Sequence, residues 1–561
     1  MHEIITLQLG QRSNYVATHF WNAQESYFTY SENEQSPVNH DIHFRGGIGA
    51  DGTETFTPRT LIYDLKGGFG TLRKYNALYQ LEEDQPGLDG GLWDTNGILQ
   101  QQPKIPQIEY QRCLDMGLPV PELTAETVRY WSDFNRVFYS PRSIQQINEY
   151  DLGSQLMPFE DWSTGQTLFS DLDREHDLLD RDLRPFAEEC DQLKGIQIFS
   201  GVNDAWGGFA ASYVDRLKDE YGSKSIWTWA LNDPSSLRRE KRKLASANLA
   251  RSVSEIGSQV TAFIPIADLP SRLASYVKPD LRHTWLSSAL ISLALESISL
   301  PTRLRGHEAL DLWEIASRDS RNIYHLESTV GTQELSGFPT DKGSSGQDTS
   351  GSGASHGHDD DDDGPQEKLK QFDVQLSPLG LASTHDSRVF HQLSVRRDRT
   401  SDKSSSSSNT GPPVNASSKT QSTKTVASFD TQLEYPILDS FPRDLVAGQG
   451  PPGSTLKVHA ALSISSQARG YLKELQQSMG IYVPFDQREE LSNSLATLSE
   501  AYIDGWESDS DSAKAESVFQ RIIPELNHPP RRRQQRIDIF MKKKKEEEKQ
   551  MGMPLFLGVF L

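Results

Sequence analysis

Residues 1–24 read MHEIITLQLGQRSNYVATHFWNAQ, and this stretch decides the fold. Ile4 to Leu9 reads as a strand, and Asn14 to Tyr30 as a helix. Between them lie Gly10, Gln11, Arg12, Ser13 and Asn14. In a parallel α/β sheet, the loop after the first strand meets a helix N-terminus, where free N–H groups and the helix dipole favour an anion. These five residues are therefore the first candidates for a phosphate site.

Outward from this unit, strands and helices continue to alternate. Thr60 to Leu65, Ile196 to Ser200, Ser225 to Leu231 and Thr261 to Ile266 read as strands. Thr124 to Val137, Phe209 to Tyr221 and Leu237 to Gly257 read as helices. The last of these carries Leu244, Leu249, Val253 and Ile256 at helical spacing. Trp285 to Ile298, WLSSALISLALESI, is apolar on most faces, which predicts a centrally buried helix. The pattern predicts an α/β fold.

Two composition breaks divide the rest. Residues 335–428 are rich in Ser, Gly, Thr and Asp and read as a linker, because so little apolar surface does not offset ordering entropy. Inside it, LKQFDVQLSPLGLASTHDSRVFHQLSV is a more mixed island, read as a short strand pair or a docking segment. Residues 429–530 read as a smaller α+β unit, with a strand at Leu456 to Ile464 and helices near Gln467 to Met479, Gln487 to Ile503 and Ser512 to Ile522. Residues 531–561 form a charged tail.

The chain has 561 residues and a formal charge of −21, which argues against direct nucleic-acid binding by the whole protein. Cys113 and Cys190 are too few for a disulfide framework or a thiolate metal site, so a reducing compartment is expected. No apolar window approaches the roughly 20 residues that cross a bilayer, and PLFLGVFL (Pro554 to Leu561) is far shorter. Any membrane association is expected to be peripheral, and the N-terminus is a poor import signal.

The opening block, with His19 to Trp21 (H-F-W), resembles the start of tubulins, which run strand, GQCGNQ, helix, FW. PRTLIYDLKGG (Pro58 to Gly68) resembles a second tubulin strand and loop. FSGVNDAWGGFAASYVDRLKDEYGSKSIWTWAL resembles the segment in which a glycine-rich phosphate loop opens a helix. Counted back from Asp219 to Tyr221, the tubulin GGGTGSG loop falls on Val202, Asn203, Asp204, Ala205, Trp206, Gly207 and Gly208. Glycines there let N–H groups approach a triphosphate, whereas Asp204 and Trp206 add charge and bulk.

With the run YWSDFNRVFYSPRSI (Tyr130 to Ile144), these departures make the chain resemble the Misato family, over Met1 to about Ser336 plus a C-terminal unit. The resemblance implies a tubulin-like nucleotide-binding fold over 1–334. It also implies a role in mitochondrial distribution, morphology and the inheritance of mitochondrial DNA. A non-enzymatic protein at the cytosolic face of the outer membrane, and in the cytoplasm, is the expected reading. The alternatives are a self-assembling GTPase, or a cytosolic factor that binds tubulin or its chaperonin.

The residual nucleotide-site candidates, for GTP or GDP, are Gly10, Gln11, Arg12, Ser13 and Asn14, with Gly207 and Gly208 opposite. Arg12 either pairs with a phosphate or plugs the site as a fixed cation. Glu308, Asp311 and Glu314 stand near the family's catalytic acidic loop but lack its Asn-x-Asp spacing, so no catalytic residue is expected. His356 and His358 beside Asp359 to Asp363 read as a solvated acidic tract and not a metal site. Trp131 and Phe134 read as core aromatics, with a partner hot spot including Arg142 as the alternative. The basic opening of the Leu237 to Gly257 helix and the basic part of the tail read as solvated faces.

Overall fold

The computed structural model describes residues 3–503, except 30–34, 50–51, 75, 77, 80–104, 233–238, 268, 279–282, 306–311, 313–315, 317–319, 332–371, 379–387, 400–424, 444 and 480–482. Its first part runs β1 (Glu3–Leu9), α1 (Gln11–Glu25), a hairpin of β2 (Phe44–Ile48) and β3 (Glu54–Pro58), β4 (Thr60–Lys66), α2 (Glu109–Asp115) and β5 (Ile144–Asp151). It continues with α3 (Trp162–His176), α4 (Arg184–Glu188), β6 (Leu193–Gly201), α5 (Ala205–Tyr221), β7 (Ser225–Leu231), α6 (Arg239–Gly257), β8 (Ala262–Ile266) and α7 (Thr284–Ser299).

Six strands form one parallel sheet in the order β5-β4-β1-β6-β7-β8. β1 lies inside it and every one of its residues is buried, as expected of a strand covered on both faces. Its polar side chains are paired across the sheet: Gln8 donates to the Thr60 hydroxyl (3.0 Å), and Gln197 donates to that of Thr6 (2.8 Å). A buried hydrogen-bonding group without a partner costs about 1–3 kcal/mol, so this cross-strand ladder supports the register.

The remaining elements are β9 (His325–Gly331), β10 (Val374–Gln375), β11 (Val389–Arg397), β12 (Thr425–Thr431), β13 (Tyr435–Pro436), β14 (Thr455–Ser465), α8 (Gln467–Ser478) and α9 (Phe485–Glu500). They build a second sheet in the order β10-β9-β14-β11-β12, with β13 on β14. Leu462 of β14 stands between Leu326 of β9 and Leu393 of β11. The apolar helix α7 packs on α1 and on β9, β11 and β14, which explains why nearly all its residues are buried.

Three expectations change. The stretch 335–428 is not linker throughout, and 429–530 is not separate from what precedes it. β11 arises from the mixed island, and β14 pairs with β9 on one side and β11 on the other. The alternation of VFHQLSVRR buries one face although the flanking composition is polar. The helix expected at Thr124 to Val137 is instead mostly irregular, with one short 3₁₀ turn, Trp131–Phe134. Buried Asp133 accepts from the backbone N–H groups of Arg129 (2.9 Å) and Tyr130 (3.1 Å), a local arrangement that competes with helix. Trp131 and Phe134 belong to the core, whereas the Arg142 side chain is exposed. The helix read at Ser512 to Ile522, and the tail, lie outside the described residues.

Candidate functional site

β1 ends where α1 begins, and Gly10 makes the junction at φ +86 and ψ 171, a conformation open essentially to glycine alone. Its N–H donates to the Tyr63 carbonyl (3.0 Å), and its carbonyl accepts from Asn14 N–H (3.1 Å). The side chains that follow turn to protein partners. Ser13 donates to the Leu9 carbonyl (2.8 Å), and Arg12, almost wholly buried, donates to the Ser287 hydroxyl (2.7 Å). Gln11 donates to Asp64 and to the Gly68 carbonyl, while Asn14 donates to the same Asp64 oxygen (2.6 Å).

Asp64 is thus the hub of the turn. Burial pushes its carboxyl up to about 7, against the opposing pull of the Leu65 N–H, Asn14 and Gln11. Its place in the PRTLIYDLKGG block marked ancestry but did not disclose this role. The available signal was a strand-end acid in a fold whose first helical turn carries two amide side chains.

On the opposite side, β6 leads into α5, and Asp204 caps that helix by accepting from Trp206 N–H (3.0 Å). A carboxylate therefore occupies the position where an anion would meet the N-terminus. Trp206 swings over the turn: a β-carbon built on Gly10 would lie 2.5 Å from its Nε1 and 2.6 Å from its Cδ1. Phe159 and Phe209 hold the indole edge-on, with centroids 5.2 and 5.6 Å away.

Gly207 and Gly208 do not complete a cradle. A β-carbon on Gly207 would lie 2.3 Å from the Ser252 hydroxyl of α6, and one on Gly208 would lie 1.9 Å from the Trp162 carbonyl of α3. One on Gly165 of α3 would meet the Ala205 carbonyl at 1.7 Å. These glycines let α3, α5 and α6 approach closely, so their purpose in this fold is packing.

A cleft of about 190 Å³ remains beside the turn, lined by Gly10, Gln11, Arg12 and Trp206 but also by Asp151, Glu160 and Asp204. It falls short of the roughly 300–1,000 Å³ of ordinary ligand clefts. Lys66 approaches Asp151 (3.3 Å) and Lys241 approaches Glu160 (2.5 Å). Three carboxylates and an indole across the glycine turn do not fit a guanine nucleotide's phosphates. Glu308, Asp311 and Glu314 lie outside the described residues, as do His356 and His358. Among the described residues no group of three or more His, Cys, Asp or Glu is placed to hold a metal ion. No described helix is long and apolar enough to cross a membrane.

A family model described as the Misato Segment II tubulin-like domain matches residues 2–116, and one described as a tubulin domain matches residues 120–304. Protein DML1 of Coccidioides immitis is 53% identical over 523 residues, covering 91% of this chain and 99% of the relative. Protein dml1 of Aspergillus niger is 49% identical over 513 residues with the same coverage of both chains. Protein dml1 of Schizosaccharomyces pombe is 32% identical over 346 residues, 58% of this chain and 71% of that protein. An intact strand–Gly10–helix unit with an indole in its phosphate cradle is thus a property of a chain that belongs to the Misato/DML1 family of tubulin-like proteins.

Proposed function

We propose that this protein is a non-enzymatic, tubulin-like scaffold that acts in the partitioning of mitochondria and the inheritance of mitochondrial DNA. It works in mitochondrial distribution and morphology from the cytoplasm and the cytosolic face of the outer membrane, attached peripherally. The observation that carries the non-enzymatic half is Trp206 against Gly10, with Asp204 at the helix end where phosphate would bind. Kinship with the Misato/DML1 family supports the organelle half. Its partners are proteins: tubulin, the chaperonin that folds it, or proteins of the mitochondrial surface.

Two measurements test the two halves separately. Isothermal titration of the full chain with GTP and with GDP gives no binding heat, and phosphate release stays at background; saturable binding with turnover overturns the non-enzymatic reading in favour of a GTPase. Loss of the gene disturbs mitochondrial distribution and the transmission of mitochondrial DNA. Normal organelle shape and inheritance in the deletion strain overturn the organelle reading, whatever the titration shows.

A further inference from the structure

The six-stranded sheet has two edges, and they are treated differently. At β8, Phe263 accepts from Tyr324 N–H (2.9 Å) and donates to the Asn322 carbonyl (2.7 Å), so that edge is engaged by the chain that follows. At β5 only one side is paired, with β4. Among the described residues no strand lies on the outer side of β5. An unpaired strand edge is a row of donors and acceptors ready for another chain.

That edge lies in a groove. Every residue from Ile144 to Glu149 lines a cavity of about 440 Å³, whose lining also includes the apolar Phe69, Leu72, Leu172 and Leu178. Glu149 and Leu172 also line a second cavity of about 430 Å³, which continues past Tyr150 and Met157 along α3. The two together run from Ile144 to Tyr150 of β5. Apolar side chains along a strand edge that is unpaired among the described residues suit strand addition, in which main-chain bonds supply affinity and side-chain pockets supply specificity.

Charge identifies the kind of strand. In the cavity along Ile144 to Glu149, exposed Lys74 and His176 also line the wall, while the Arg181 guanidinium is already held by Asp182 (2.7 and 2.9 Å). At the Tyr150 end, Glu149, Asp171 and Glu175 are all exposed around the groove. Arg174 pairs with Asp171 (2.8 Å), but Glu149 has no cation partner among the described residues. Met157 is 54% exposed beside these acids, and Leu156 is 95% exposed next to it. The end of the groove thus offers negative charge and apolar surface together.

We infer that the outer edge of β5 is a docking site for an extended segment of a partner protein, in which basic residues alternate with apolar ones and meet the Tyr150 end. The chain's own undescribed segment after β4 is a poor occupant on charge, since Glu82, Glu83, Asp84, Asp89 and Asp94 face Lys104 alone as a basic residue. The inference concerns the outer edge of β5, whose last residue, Asp151, reaches the cleft beside the Gly10 turn, and goes beyond the organelle reading; it stands or falls independently of it.

The test uses the full chain and a fluorescein-labelled eight-residue peptide alternating lysine and valine, with a glutamate–valine peptide as its counterpart. By fluorescence anisotropy the lysine peptide binds, and the glutamate peptide does not bind up to ~1 mM. The double variant Glu149→Lys/Asp171→Lys, changed only at exposed side chains, reverses the preference. Amide exchange slows about tenfold or more in the bound state at alternate residues of 145–150, those whose N–H groups face away from β4, as strand pairing requires. Absence of binding by the lysine peptide, a preference unmoved by charge reversal, or binding that leaves amides 145–150 unprotected overturns the inference. So does a dimer formed through this edge that the peptide does not displace.

Discussion

The indole of Trp206 occupies the face of Gly10 that a phosphate would need: a β-carbon at Gly10 would lie 2.5 Å from Trp206 Nε1. Gly10→Ala therefore carries two penalties. The backbone angles cost on the order of 1–3 kcal/mol for a side-chain-bearing residue, and the methyl meets the indole. Trp206→Ala removes only the second. Urea unfolding of both single variants and the double gives a coupling of about 0.5–3 kcal/mol; additivity within ~0.5 kcal/mol contradicts the contact.

Trp206→Ala by itself lowers stability by about 3–5 kcal/mol, since the ring is buried against Phe159 and Phe209. It does not create a nucleotide site. Asp151, Glu160 and Asp204 still line the cleft, so calorimetric titration of this variant with GTP remains flat. Micromolar binding by the variant counts against the electrostatic part of the argument.

Gly208→Ala and Gly165→Ala push α5 and α3 apart, because each new methyl lies within 2 Å of a backbone carbonyl oxygen in the structure, at 1.9 and 1.7 Å. Each is expected to cost at least about 1–3 kcal/mol as an overpacking change, read as a lower denaturation midpoint. A glycine kept for a ligand would instead tolerate alanine in the ligand-free protein.

Asp64 gives the fold a pH signature. Its carboxyl is raised to about 7 in the folded state from 3.8, so between those values the native protein holds a proton that the unfolded chain releases. Its contribution is fully present below about pH 4 and is lost as pH rises through 7. Relative to Asp64→Asn, the native protein loses up to about 1.4 kcal/mol per pH unit in that window, measured by denaturant unfolding across pH. Parallel curves contradict it.

A buried ion cluster ties α7 to β11 of the second sheet. Glu296 of α7 accepts from Arg303 (2.7 Å) and from Arg397 of β11, and Arg397 donates to the Tyr27 hydroxyl (2.8 Å). Burial opposes the Glu296 charge, but Arg397 and Arg303 outweigh it and hold the carboxyl below its usual range. Its contribution is thus present above the unfolded value and is lost as pH falls through the folded one. Glu296→Gln leaves the buried Arg303 and Arg397 without a carboxylate and costs about 3–5 kcal/mol, whereas Arg397→Met keeps the Glu296–Arg303 pair and costs less. Arg397→Met combined with Glu296→Gln costs less than the sum of the two single changes, as urea unfolding of all three variants tests.

Much of the first sheet was legible. β7 falls at Ser225–Leu231 as expected, and α7 spans Thr284–Ser299 against an expected Trp285 to Ile298. Both are long, strongly apolar segments whose period leaves little choice. Thr124 to Val137 misled because Asp133 turns its carboxylate to the local N–H groups of Arg129 and Tyr130, which competes with helix, while Trp131 and Phe134 are buried. β11 was obscured by the polar residues around it. At the candidate site, Asp204 and Trp206 were readable as obstacles, but Gly207 and Gly208 were not readable as packing residues. A glycine's letter does not say which neighbour needs its missing β-carbon.

The sequence by itself determined that a strand, a glycine turn and a helix open this chain, and that the opposing loop carries Val202 to Trp206 with no glycine before Gly207. Those are local properties, set by hydrophobic period and by the backbone angles each residue tolerates. Only the tertiary structure decided that Trp206 rests on Gly10, that Asp64 gathers Gln11 and Asn14, and that β14 joins β9 to β11. Such pairings join residues far apart in the chain, and they are chosen by which surfaces fill space and satisfy buried polar groups together. No short-range pattern contains that information.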